Sequence, residues 1–296
     1  MRPRPLVLGL ILLLAAAGAA AVLAEEKIEH VLAPETGALR PPEGEWIRSV
    51  PGETADIWAV GDADPPRAAS VARLIRRADP DRILYLGDVY PRGTPDDFRR
   101  WAKPFGGLVR RMAPTPGNHD WPEAREGYEP FWRDVTGETP PTYYSFEAGG
   151  WEILSVNGEH SEQRAVENWL GDRVRPGGNC RIAFWHRPRF TAGRHEGGDA
   201  RAKEYWEAIQ GRARIIVNGH DHNMQRIRER DGIVEFISGA GGRKLYPVNE
   251  RDRRLAFSDD RHYGALRLRL SRGEARWRFV SAKGRSLDSG LLRCRA

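Results

Sequence analysis

The chain has 296 residues, 40% of them hydrophobic and 30% charged, which suits one large globular domain and excludes a disordered, collagen-like or polytopic membrane protein. Two cysteines exclude a disulfide-dense scaffold and a thiolate metal cluster. Lys plus Arg (47) against Asp plus Glu (41) leaves a scattered excess of +6, and with no zinc finger or RNA-binding signature no dedicated nucleic-acid partner is expected.

Arg2 and Arg4 precede an apolar run from Leu6 to Leu23, and Val22-Leu23-Ala24 stands before Glu25-Glu26 where a signal peptidase would cut. Residues 1–24 are therefore read as a secretory signal, which places the protein outside the cytoplasm, secreted or periplasmic. The alternative is an uncleaved anchor, since the run is almost long enough to span a bilayer; only then would a stable membrane partner be expected. Residues 25–50 show little periodicity and are read as a linker or an early edge strand, with one α/β domain over 51–296.

A βαβ pattern then begins. Strands are expected at Ala55–Val60 and Arg82–Leu86, each followed by Gly-Asp, and Pro65-Pro66 open a helix with Ala68, Val71, Ala72 and Ile75 on one face. Further strands are expected at Arg111–Ala113, Tyr143–Glu147, Trp151–Val156, Arg181–Trp185, Arg214–Val217, Val234–Ile237, Ala265–Leu270 and Arg276–Val280. Helices are expected at Pro95–Lys103, Glu162–Gly171 and Ala200–Gln210, and Ser271-Arg272-Gly273 marks a closing hairpin. Open α/β sheets bind ligands at the ends of their strands.

Five polar clusters stand at such ends: Gly61-Asp62, Gly87-Asp88-Val89-Tyr90, Gly117-Asn118-His119-Asp120, Trp185-His186-Arg187-Pro188 and Gly219-His220-Asp221-His222. Their Asp, Asn, Tyr and His side chains are hard or borderline ligands suited to zinc, iron or manganese. His220 and His222, two residues apart, can diverge towards two different ions. Each cluster alone reads equally as a turn, a cap or a core residue. The five together, in order, do not.

That ordered set resembles the calcineurin-like metallophosphoesterase superfamily, and the tyrosine resembles its purple acid phosphatase branch, over about residues 55–245. The resemblance implies a four-layer α/β/β/α sandwich with mixed sheets. It implies two divalent or trivalent ions, iron with zinc, manganese or iron, bridged by Asp88. Asp62, His222 and Tyr90 would hold one ion, and Asn118, His186 and His220 the other. His119 would protonate the leaving group, and His195 would face a small phosphorylated substrate. The implied activity is hydrolysis of phosphomonoesters by a metal-bound hydroxide. The alternatives are a phosphodiesterase or nucleotide hydrolase on the same site, or a metal-poor binding protein that lost turnover.

Tyr90 follows Asp88 by two residues where the branch has three, so Asp64 is an alternative ligand, or else the N-cap of the next helix. Asp120 is read either as a partner that orients His119 or as part of a surface turn. Arg187, Arg189, Arg194 and Arg243 line an anionic cleft or form a solvated face. His30, His160 and His262 are expected to be solvated or structural, and Cys180 is able to pair with Cys294 in an oxidising compartment.

Overall fold

The computed structural model describes residues 45–294 except 161–162, 174–179 and 196. The signal or anchor at 1–24, His30 and most of the 25–50 segment lie outside the described residues. Trp46 and Ile47 are buried, and Val50 bridges Ala148 in a parallel sense, so residues 46–50 pack onto the domain as an edge segment.

Strand β1 (Thr54–Val60) runs into helix α1 (Ala68–Ala78) and strand β2 (Arg82–Tyr85). Helix α1 buries Ala68, Val71, Ala72 and Ile75, the face its spacing predicts, but it starts at Ala68 rather than at the two prolines. Helix α2 (Pro95–Phe105) opens on a reciprocal capping box between Thr94 and Asp97, with Pro95 in the first turn where its missing N–H costs nothing. A 3₁₀ segment, Gly106–Arg111, leads to strand β3 (Met112–Pro114). A π-helical turn, Ala124–Tyr128, then continues into helix α3 (Glu129–Thr136).

Strands β4 (Tyr143–Ala148) and β5 (Trp151–Val156) form a hairpin. Helix α4 (Gln163–Arg173), strand β6 (Cys180–Phe184), helix α5 (Ala200–Ile209) and strand β7 (Ile215–Asn218) follow. The chain ends in six strands: β8 (Met224–Ile227), β9 (Val234–Ser238), β10 (Leu255–Asp259), β11 (Gly264–Ser271), β12 (Glu274–Ser281) and β13 (Ser286–Arg293). Helix α3 and strands β8, β10 and β13 were not expected from the sequence, and the predicted closing hairpin is a three-strand meander.

The described strands form two mixed sheets, ordered β13-β12-β11-β1-β2-β3 and β10-β8-β9-β7-β6-β5-β4. One continuous core joins them and reaches under α1, α2 and α3, through residues such as Ile57, Val71, Phe98, Phe236 and Phe279. A second core, with Leu154, Ala183, Ile216, Tyr205 and Trp206, fills the space between the other face of the second sheet and helices α4 and α5. That succession of helices, sheet, sheet and helices is the four-layer sandwich. The sheets are tied by backbone where Gly61 N–H donates to Ser238 O at 2.9 Å. The tie lies at the β1 and β9 strand ends, and so brings loops of both sheets together.

Cys180, the first residue of β6, is disulfide-bonded to Cys294, with Cα atoms 5.2 Å apart, which fastens the end of the described chain to the second sheet. Among the described residues no helix is long and apolar enough to cross a membrane.

Candidate metal centre

Asp62 follows β1, Asp88 follows β2, His186 follows β6, and His220 and His222 follow β7. Asp62, Asp88 and His220 have φ of 56°, 68° and 70°, in the left-handed region that costs a non-glycine residue about 1–2 kcal/mol. Three such residues at one locus mean that the chain leaves each strand abruptly, turning its side chain across the strand ends. Gly117 gives the space required: a Cβ there would lie 2.1 Å from Asp88 Oδ1.

The seven proposed ligands come together. Tyr90 Oη lies 3.1 Å from Asp62 Oδ1, 3.0 Å from Asp88 Oδ2 and 2.8 Å from His222 Nε2. His186 Nε2 lies 3.3 Å from Asp88 Oδ2, 3.2 Å from Asn118 Oδ1 and 3.2 Å from His220 Nδ1. Asp88 Oδ2 therefore stands between two donor groups, one of Asp62, Tyr90 and His222, the other of Asn118, His186 and His220. Asp88, His186 and His220 alone form a buried triad able to hold an ion.

Hydrogen bonds behind the ligands set which nitrogens face inward. His186 Nδ1 donates to Leu86 O at 2.7 Å, and His222 Nδ1 donates to Lys244 O at 2.9 Å. A carbonyl only accepts, so in each neutral ring Nε2 keeps its lone pair towards the cluster. Burial lowers His222 to about 4, which keeps it neutral. Around the phenol, a carboxylate oxygen from Asp62, one from Asp88 and His222 Nε2 thus compete for the single proton of Tyr90. An ion satisfies all four groups where one proton cannot.

The electrostatics agree. Burial opposes charge on His186, but Asp88 and then Asp62 and Glu159 outweigh it and push its pKa up to about 10. Burial likewise opposes ionisation of Asp88, yet His186 and His119 hold its carboxyl well below the usual range. Burial, reinforced by Asp88, raises Asp62 well above that range. Burial, then His195 and Arg187, hold His220 far below the usual histidine value. The pocket calls for positive charge beside His186 Nε2. A cation supplies it, and the O and N donors with no thiolate fit iron, zinc or manganese.

The flanking residues divide. His119 Nδ1 donates to Pro91 O at 2.6 Å, and its backbone N–H donates to Asp88 Oδ1 at 2.9 Å. His195 stacks on His220 at 3.9 Å, and its Nδ1 lies 3.0 Å from Asp221 Oδ1. Asp221, between His220 and His222, was not singled out from the sequence, although its place in Gly219-His220-Asp221-His222 was the available signal.

Two readings of the sequence need correction. Asp64 is not the cap: helix α1 has Arg67 as N-cap with no side-chain bond, and the Asp64 carboxylate pairs with Arg243 at 2.9 Å. Asp120 is no surface turn. It is buried, and its carboxylate accepts the N–H groups of Asp88 (2.7 Å), Val89 (2.7 Å) and Gly117 (2.8 Å), so it fixes the loop that carries Asp88. Burial, then the charge of Asp88, push Asp120 up to about 7.

The arginines are similarly sorted. Arg187, held by Glu159 at 2.8 Å, lies 3.4 Å from His220 Nε2, and Arg243 covers the Tyr90 ring at 4.4 Å. Arg194 covers Tyr246 at 4.9 Å, while Arg189 covers Phe190 at 4.6 Å, away from the cluster. His160 is buried against Trp121, and His262 pairs with Asp259 at 2.8 Å.

Residues 55–224 match the sequence model of the calcineurin-like phosphoesterases. The chain is 25% identical over 194 residues to a probable cyclic nucleotide phosphodiesterase of Synechococcus, covering 60% of this chain and 71% of that one. It superposes on a purple acid phosphatase from yellow lupin seeds (TM-score 0.67, 16% identity, 81% of this chain), spanning 54% of that protein's length. It also superposes on GAP50, described as the anchor in the inner membrane complex of Plasmodium (TM-score 0.69, 15% identity, 83% of this chain and 90% of that one).

Proposed function

The chain belongs to the calcineurin-like phosphoesterase family, and on that footing we propose that it is an extracytoplasmic phosphomonoesterase that works with two metal ions on small phosphorylated substrates. The fold alone does not argue for catalysis, since it is shared with a protein described as an anchor. What carries the reading is Asp88 Oδ2, 3.0 Å from Tyr90 Oη and 3.3 Å from His186 Nε2, set between two groups of donors.

Two cations held there, iron with zinc, manganese or a second iron, would neutralise phosphoryl oxygens and lower the pKa of a water from about 15.7 to about 7. The remaining work falls to the chain's own side chains. His119, whose Nδ1 donates to Pro91 O, would deliver a proton from Nε2 to the departing alkoxide, an effect of about 10²–10⁴-fold. Asp221 accepts from His195 Nδ1 and so orients the ring, whose Nε2 would bind a phosphoryl oxygen. Asp120 holds the Asp88 loop still through three N–H bonds. The Cys180–Cys294 disulfide supports an oxidising compartment, as does the reading of residues 1–24.

The resemblance of Tyr90 to the tyrosine of the purple acid phosphatase branch favours the monoester. The Synechococcus relative's description favours a second reading, cleavage of phosphodiesters. Metal-loaded protein assayed on 4-nitrophenyl phosphate and bis(4-nitrophenyl) phosphate separates them. The expected kcat/KM is at least tenfold higher on the monoester, and the reverse preference overturns the proposal.

A further inference from the structure

Beside the metal centre lies an open cavity of about 610 Å³, lined by 192–194 and 244–249. That volume falls in the range of small-molecule sites. Both walls continue directly into the centre. Arg194 precedes His195; Lys244 O accepts from His222 Nδ1, and the Tyr246 ring stacks on His222 with centroids 4.0 Å apart. The cavity is thus one ring-width from a proposed metal ligand and adjoins the histidine proposed to face substrate.

Its lining has a definite chemistry. Ala192, Leu245, Pro247 and Val248 supply apolar surface, while Arg194 and Lys244 supply two cations. No carboxylate is among the described residues of the wall, and among the described residues neither cation has a carboxylate partner. Tyr246 is covered by His222 on one side and by Arg194 at 4.9 Å, so its ring faces are taken, and the guanidinium is held in place over the aromatic. What remains open is apolar wall with positive charge held beside it.

We propose that this cavity is the subsite for the organic portion of the substrate, and that it selects phosphate esters whose apolar body bears a second anionic group, a carboxylate or a further phosphate. The inference rests on the hydrolase reading and adds to it the substrate class. A charge-assisted hydrogen bond from Arg194 to that anion is stronger than any contact the wall offers a neutral group.

Two measurements on the metal-loaded protein test it. The first is binding, by ligand-observed NMR, of 4-hydroxybenzoate and of phenol, the charged and uncharged bodies, with saturating orthophosphate on the metal centre. The expected result is binding of 4-hydroxybenzoate at least tenfold tighter than phenol, persisting under phosphate and lost at least tenfold in Arg194→Ala/Lys244→Ala. Displacement by phosphate, equal binding of the two bodies, or undiminished binding by the double variant overturns the subsite.

The second measurement is kcat/KM on 4-carboxyphenyl phosphate and on phenyl phosphate. The double variant is expected to lose at least tenfold more on the carboxylated ester; equal losses overturn the selectivity. Lys244→Ala alone, at an exposed side chain, repeats both measurements where the double variant fails to fold. Binding as expected without hydrolysis of any ester upholds the cavity as an organic-anion site and defeats the hydrolase reading instead.

Discussion

Glu235 offers a test of the packing that holds His186 and His195 in place. It lies on β9, fully buried, and its two carboxylate oxygens accept the N–H groups of Arg189 at 2.7 Å and Phe190 at 3.0 Å, in the loop between those histidines. Burial raises its pKa from 4.5 to about 8, although the two N–H donors and the charges of Arg189 and Arg254 pull the other way. Because the folded state keeps a proton that the unfolded chain gives up near pH 4.5, stability is highest below that pH and falls as pH rises through 8. At 1.36 kcal/mol per pH unit the loss is about 5 kcal/mol. Glu235→Gln keeps one acceptor oxygen and no titration. Urea unfolding from pH 5 to pH 9 is therefore expected to show the variant gaining on the wild type by about 4 kcal/mol across the range, the rest of the loss falling below pH 5. Parallel pH profiles would refute the buried, proton-holding carboxyl.

His119→Ala is expected to retain its metal and to lose about 10²–10⁴-fold in kcat on alkyl phosphates, with a much smaller loss on 4-nitrophenyl phosphate, measured by steady-state kinetics. Gly117→Ala places a Cβ 2.1 Å from Asp88 Oδ1, so the carboxylate must move. Metal affinity is expected to fall at least tenfold by titration, with the circular dichroism spectrum retained. Cys180→Ser opens a bridge between residues 114 apart, and urea unfolding of the oxidised protein is expected to show a loss of about 4–5 kcal/mol.

The site was legible because its residues obey two local rules at once. Each proposed ligand follows an apolar strand, and each lies in a short polar cluster opened by a glycine or, at His186, by Trp185. Those rules read directly from order and spacing. Less legible was everything decided by partners distant in sequence. Strand β8 reads as polar because buried Gln225 bonds across to Ala192 N at 2.9 Å, and β13 lacks alternation because Asp288 pairs with Arg226 and with Trp277 Nε1. Glu235 acts through backbone contacts that no spacing announces, and Asp120 and Asp221, though they stand inside the polar clusters, have partners that the clusters do not reveal. Tyr90, one residue closer to Asp88 than the resemblance leads one to expect, reaches the cluster because the left-handed backbone at Asp88 redirects the chain.

The most direct test of the proposed centre is elemental analysis of purified protein equilibrated with iron, zinc and manganese, for the wild type and Asp88→Asn. Two tightly held ions per chain in the wild type, and the loss of both on removing the shared oxygen's charge, are the expected result. Less than one ion in the wild type, or two still held by Asp88→Asn, would contradict a pair of cations gathered around that carboxylate.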